Sequence, residues 1–164
     1  MIEPSQIKEA SKKRQDQNFR FRSFLKFNAD SAELDAQFLK LHNELFSTYD
    51  CCTCGNCCRE YDIFIKDKEI KPISEYLGQT EEYLKKNSLI KTNDGYKIKE
   101  QPCGFLCADG RCSIQECKPS ACNEFPFTNK PDRLYALWGV IDFSEVCPIV
   151  FEILERLKKI YHFH

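Results

Sequence analysis

Cys51, Cys54, Cys57 and Cys58 stand in the register C-x-x-C-x-x-C-C, with Cys52 as an extra thiol inside it. A C-x-x-C pair lets two thiolates converge from one tight turn, whose backbone N–H groups also point at the sulfurs. Three cysteines in this register wrap a single point, as in loops that embrace an iron–sulfur cluster. Gly55 and Asn56 suit such a turn because both tolerate positive φ. A second run supplies Cys103, Cys107, Cys112, Cys117 and Cys122, and Cys147 stands alone before Pro148. Thiolate-rich sites suit zinc, iron–sulfur clusters or Cu(I), so the chemistry to expect is metal ligation.

Eleven cysteines in 164 residues also invite a disulfide framework, and three features weigh against it. The segment Met1 to Asp16 is polar and charged, with no apolar stretch before a small-residue cleavage site, so the expected location is cytoplasmic. The chain is long enough to bury an ordinary core, unlike the short domains that depend on disulfide staples. Neighbouring cysteines such as Cys51, Cys52 and Cys54 compete for the same space and make poor independent bridges. An odd total leaves one thiol over.

Lys and Arg number 24 against 25 Asp and Glu, so no net field recruits nucleic acid. The N-terminal stretch differs locally: Lys8, Lys12, Lys13, Arg14, Arg20, Arg22 and Lys26 interleave with Phe19, Phe21, Phe24 and Phe27. We read residues 1–30 as a basic helical arm whose phenylalanines dock on a core, and 31–164 as the cysteine-cluster domain. No apolar run approaches the ~20 residues of a membrane span.

The elements that must position the thiols are short and mixed, which defines an α+β class with flanking helices around a cysteine-ligated centre. Pro4 to Arg22 reads as a polar helix. Asp30 and Glu33 form a capping box that opens a helix to about Tyr49, with Leu34, Phe38, Leu41 and Leu45 as its stripe. Tyr61 to Ile65 reads as a strand, and Asp67–Leu77 and Thr80–Asn87 as helices separated at Gly78. Leu89–Thr92 and Tyr96–Lys99 form a hairpin through Asn93-Asp94-Gly95. A turn at Asp109-Gly110 precedes Cys112, and Pro119 opens a short helix carrying Cys122. Leu134–Ile141 reads as a strand, and Ser144–Tyr161 as a helix capped by Ser144 with Val150, Ile153, Leu154 and Leu157 buried.

With these residues in view, Cys51-x-x-Cys54-x-x-Cys57-Cys58-Arg59, Pro102-Cys103-Gly104-Phe105-Leu106, Gly110-Arg111-Cys112-Ser113-Ile114 and Lys118-Pro119-Ser120-Ala121-Cys122-Asn123-Glu124-Phe125-Pro126 together resemble the YkgJ-type CxxCxxCC cysteine-cluster family. The four motifs occur in the family's order, and Cys147-Pro148 looks like its usual continuation. The resemblance implies a zinc- or iron-chelating domain, with Cys51, Cys54, Cys57, Cys58, Cys103, Cys112 and Cys122 as the family cysteines and Cys147 as an eighth. Gln115 and Lys118 replace the aromatic and arginine common in the family, and Cys52, Cys107 and Cys117 lie outside its pattern. A similar cysteine-cluster region occurs in flagellin lysine methylases, which links it to an iron–sulfur cluster.

Eight thiols exceed the four ligands of one zinc ion. They would serve two four-cysteine centres, or one cluster plus one ion, with Arg59, Arg111 and Lys118 near enough in sequence to offset the charge. The favoured cofactor is an iron–sulfur cluster on Cys51, Cys54 and Cys57 with Cys147 or Cys103, ahead of zinc or iron ions. Cys58 then serves a second centre with Cys112 and Cys122, or stays a buried thiol. His42 reads as a partly buried flank of its helix, Asp67 and Glu69 as helix-start carboxylates, and Trp138 as core or cluster shielding. No phosphate loop, nucleophile elbow or dinucleotide glycine pattern occurs. The expected role is metal chelation, delivery or electron transfer. The alternatives are a methylase-like, cluster-dependent enzyme or an adaptor with a structural metal, gripping a protein partner through its basic arm.

Overall fold

Four apolar stripes at helical spacing build the first of two units in this computed structural model, which describes residues 1–164. That unit comprises Met1–Asp50 and Pro126–His164, and the second comprises Cys51–Phe125. With nine helices and a three-stranded antiparallel sheet, the chain is α+β.

In the helical unit, α1 (Ile7–Asn28) follows a 3-10 turn started by Pro4. It runs six residues beyond the Arg22 expected from sequence. It buries only a narrow stripe of Ile7, Ser11, Asn18, Phe21 and Leu25, so its stability comes from docking rather than from its polar composition. Phe21 is in the core, whereas Phe27 is 90% exposed. Helix α2 (Ser31–Phe46) starts where Asp30 Oδ1 accepts the Glu33 N–H at 2.9 Å. Its Leu34, Phe38, Leu41 and Leu45 are all buried, as the 3.6-residue period requires. Removing a ring like that of Phe38 from such a core typically costs ~3–5 kcal/mol.

The segment expected as a strand from Leu134 to Ile141 is instead helical: α8 spans Leu137–Ser144. Leu137, Val140, Ile141 and Ser144 are its buried residues, an i, i+3, i+4, i+7 set that a helix can aim at one core and a strand cannot. Ser144 therefore ends α8 rather than capping the next helix. Its hydroxyl donates to the Ile141 carbonyl at 2.6 Å and lies 3.2 Å from Ser11 Oγ, where two small side chains let α1 and α8 approach. Helix α9 (Pro148–Ile160) has Cys147 at its N-cap and Pro148 at its first position. Its stripe packs against α1, α2 and α8. Lys158, 4% exposed, donates to Glu155 and to Gln17 Oε1, which satisfies its buried ammonium. Trp138 is not core: it is 54% exposed, edge-on to Phe19 and under the Arg22 guanidinium.

In the second unit, β1 (Phe64–Ile65), β2 (Leu89–Thr92) and β3 (Gly95–Ile98) form a sheet in the order β1-β3-β2. The hairpin register pairs Leu89 with Ile98 and Thr92 with Gly95. Gly95 holds φ +134°, and a Cβ there would stand 2.5 Å from the Ile65 carbonyl oxygen, so glycine is required at this crossing. The strand expected over Tyr61–Ile65 shortens to two residues, although Ile63 still accepts the Ile98 N–H at 2.9 Å. Helices α5 (Asp67–Tyr76) and α6 (Glu81–Ser88) pack on each other, and α6 also packs on β2. Glu69 closes the start of α5 and Thr80 caps α6. The core they close is Ile63, Ile65, Ile70, Ile73, Leu84, Leu89, Ile98, Cys103, Phe105 and Ile114.

Candidate metal centre

The thiols of the second unit are held by a frame of backbone bonds. Cys51–Cys54 form one helical turn, α3, and Asn56–Glu60 form another, α4. Gly55 joins them in the left-handed region (φ 61°, ψ 8°), with its N–H donating to the Cys51 carbonyl at 3.0 Å. A Cβ at Gly55 would crowd the Arg59 guanidinium at 3.1 Å, the same group whose Nη1 donates to the Cys54 carbonyl at 2.7 Å. Glycine thus serves both the turn and the seat of this cation.

Cys57 and Cys58, adjacent on α4, bring their sulfurs to 4.0 Å. The Cys58 carbonyl then accepts the Cys103 N–H at 2.7 Å, which fixes α4 to the second cysteine run. From there the chain makes a small hairpin: Leu106 bridges Cys112, and Cys107 N–H donates to the Arg111 carbonyl at 2.8 Å. Asp109 Oδ1 accepts the Arg111 N–H at 3.0 Å inside the turn. A 3-10 turn over Gln115–Cys117 follows, and then α7 (Ser120–Glu124), which carries Cys122. Glu69 links this frame to α5, because its two carboxylate oxygens accept Lys66 N–H and Ser120 N–H, each at 2.8 Å. Sequence reasoning gave Glu69 only the helix-start role. Its second bond joins residues 51 apart, which no local pattern reports.

Burial and neighbouring groups shift four of the thiols. Cys103 is pushed up to about 11 by burial, with Cys58 and Cys112 adding to the shift. Cys122 is pushed up to about 12, again by burial and then by Cys58, Cys103 and Cys112. Cys112 is raised by burial and by its neighbours Cys58 and Cys107, against the pull of Lys118. Cys58 goes the other way, down to about 6: its hydrogen bond with the Cys57 thiol, and then Lys118 and Arg59, favour its thiolate against the cost of burial. Cys103 lies inside the core of this unit, and Cys58, Cys112, Cys117 and Cys122 pack against it.

Of the remaining candidates, Cys51 is exposed and Cys54 buried on α3, and Cys147 lies in the helical unit at the head of α9. Cys107 and Cys117, which the sequence left open between buried hydrophobe and ligand, both bear on Cys112: Cys107 raises Cys112, and Cys112 raises Cys117. The Asp109-Gly110 turn was the available signal for Cys107, since a hairpin there sets it beside Cys112. No disulfide joins any two cysteines.

The soft donors, the partial burial and the Lys118 and Arg59 cations match what a zinc or iron ion asks of a thiolate site. In this arrangement no three His, Cys, Asp or Glu side chains are already posed to hold an ion, so ligation calls for the thiols to turn toward one another.

The cysteine frame defines a thiol-rich metal-binding class. The chain belongs to the CxxCxxCC family, described as a "putative zinc- or iron-chelating domain", whose profile matches residues 50–148, more than half of the sequence. No curated protein and no solved structure matches the chain. Membership supports a zinc- or iron-chelating role. No helix is long and apolar enough to cross a membrane.

Proposed function

We propose that the chain chelates a single thiophilic ion, zinc or iron, through Cys58, Cys103, Cys112 and Cys122, in a role of metal storage or delivery. The observation that carries this reading is the packing of Cys58, Cys112 and Cys122 against the core that contains Cys103, with the Lys118 charge acting on those three thiols. Binding replaces the thiol protons by the ion, and the charge left on the sulfurs is offset by Lys118 and Arg59. Cys103, buried, and Cys122, half-buried, resist ionising alone, so the ion supplies the compensation.

A second reading places an iron–sulfur cluster on Cys51, Cys54 and Cys57 with Cys103, for one-electron transfer. It is favoured by the left-handed Gly55 turn between the two cysteine-bearing helices. Anaerobic purification with metal and acid-labile sulfide analysis separates the two, using Cys103→Ser and Cys54→Ser. The first reading expects metal without sulfide, lost in Cys103→Ser and kept in Cys54→Ser. Colour, sulfide and loss in Cys54→Ser would establish the second, and full metal retention in both variants would remove both.

A further inference from the structure

Helix α1 sorts its charges by flank. Lys8, Lys12, Gln15, Phe19, Arg22 and Lys26 recur at alternating intervals of four and three, so they share one side of the helix, and no acid stands among them. Glu9 and Asp16 fall on the next face, where Glu9 is paired with Lys13 at 2.7 Å. Arg14, on the far side, pairs with Glu155 of α9. Lys12, Arg22 and Lys26 form no ion pair. Arg22 instead holds its guanidinium 5.0 Å from the centre of the Trp138 ring, and its Nε, shut off from solvent, meets no acceptor. Phe19 lies edge-on to the same ring, with centres 4.9 Å apart. Large aromatic groups remain open here. Trp138 itself is exposed, Tyr135 three residues before it is 77% exposed, and Phe27 beside Lys26 is more open still. The acid that follows on α8 is Asp142, one turn past Trp138. All of these residues belong to the helical unit.

We propose that this flank of α1, together with Trp138 and Tyr135, is a docking face for the surface of an anionic lipid bilayer. From Lys8 to Lys26 the helix advances about 27 Å, a straight row of cations that a plane of anionic headgroups can neutralise along its whole length. Indole and phenol rings favour the headgroup level, because one end of each ring is apolar and the other is wet. Arg22, laid on the indole, brings its outer N–H groups to the same level, where lipid phosphate accepts them. The protein as a whole carries a net charge of −1, so the attraction is local and needs a surface of dense negative charge. A nucleic-acid strand would stack its bases on open rings, whereas the Trp138 ring is already engaged by Arg22 and Phe19. The face is independent of the thiols and of the metal they hold.

Trp138 is the sole tryptophan of the chain, so its fluorescence reports on this face alone. The full chain is titrated with vesicles of phosphatidylcholine, with and without an equal share of phosphatidylserine. The emission should shift to the blue, and brominated acyl chains should quench it, only with the anionic vesicles, and high salt should reverse both. Lys12→Gln/Lys26→Gln should weaken vesicle binding about 25-fold, about fivefold for each cation removed. Melting and metal content should stay those of the parent, since both side chains are exposed and unpaired. Lys12→Arg/Lys26→Arg should bind like the parent. An unmoved emission, equal binding to neutral vesicles, or parent affinity in the Gln variant overturns the proposal. Tighter binding of a single-stranded oligonucleotide or of polyglutamate than of the anionic vesicles, read by the same fluorescence, gives the face to another partner and overturns it as well.

Discussion

Single side chains do two kinds of work in this protein, and His42 illustrates the kind unrelated to metal. It sits on α2, its Nδ1 is 2.8 Å from Thr128 Oγ1, and its ring lies 4.5 Å from that of Phe46. Burial holds its pKa below the ordinary value of 6.5. The unfolded chain therefore takes up a proton at this histidine first as the pH falls, and stability must drop with acidification through about pH 6.5. His42→Gln should flatten that part of the melting-temperature profile relative to the parent, as read by thermal denaturation between about pH 7.5 and 5. Parallel profiles for the two proteins would refute it. The cysteine spacing announced metal ligation from the sequence alone. Which thiols gather on one core was not legible, because Cys58 and Cys122 reach it from separate elements by long-range packing rather than from a shared turn.

At the scale of elements, α2 acts as the clamp of the helical unit. Beyond its apolar stripe, Asp35 accepts the N–H groups of Asp132 and Arg133 at 2.8 Å each, and Glu44 pairs with Arg156 on α9. The two bonds of Asp35 hold the turn that leads into α8, where Asp132 itself adopts a positive φ of 62°. Asp35→Ala leaves two backbone donors without their carboxylate, one exposed and one part-buried, so a loss of about 1 kcal/mol is expected in denaturant unfolding, on the scale of ~0.5–1.5 kcal/mol for a typical hydrogen bond. A change below a few tenths of that would mean water replaces the carboxylate fully. Long amphipathic elements such as α2 and α9 were readable because stripe, cap and proline agree. The run Leu134 to Ile141 misled because an apolar stretch of eight with aromatic and β-branched residues looks like a buried strand. The deciding signal was present in it: Leu137, Val140, Ile141 and Ser144 fall at helical spacing.

Considered as a whole molecule, the chain holds two cores of different composition. The helical unit closes on Phe21, Leu25, Leu34, Phe38, Ile149, Ile153 and Leu157, side chains that need no ligand. The unit Cys51–Phe125 closes on a smaller set in which Cys103 is a member and Cys58, Cys112, Cys117 and Cys122 are packed neighbours. An ion gripped by those thiols becomes part of that core, so its binding free energy adds to the folding of this unit. Removing the metal with a chelator under reducing conditions should therefore lower amide-exchange protection mainly in residues 51–125. The hairpin Leu89–Ile98 and the Phe105–Ile114 segment should be affected, while α1, α2 and α9 keep theirs. Hydrogen-exchange mass spectrometry with and without the chelator reads this directly. Equal loss of protection in α2 and in the 103–122 segment would show that the metal stabilises the molecule as one cooperative block, against the division its two cores imply.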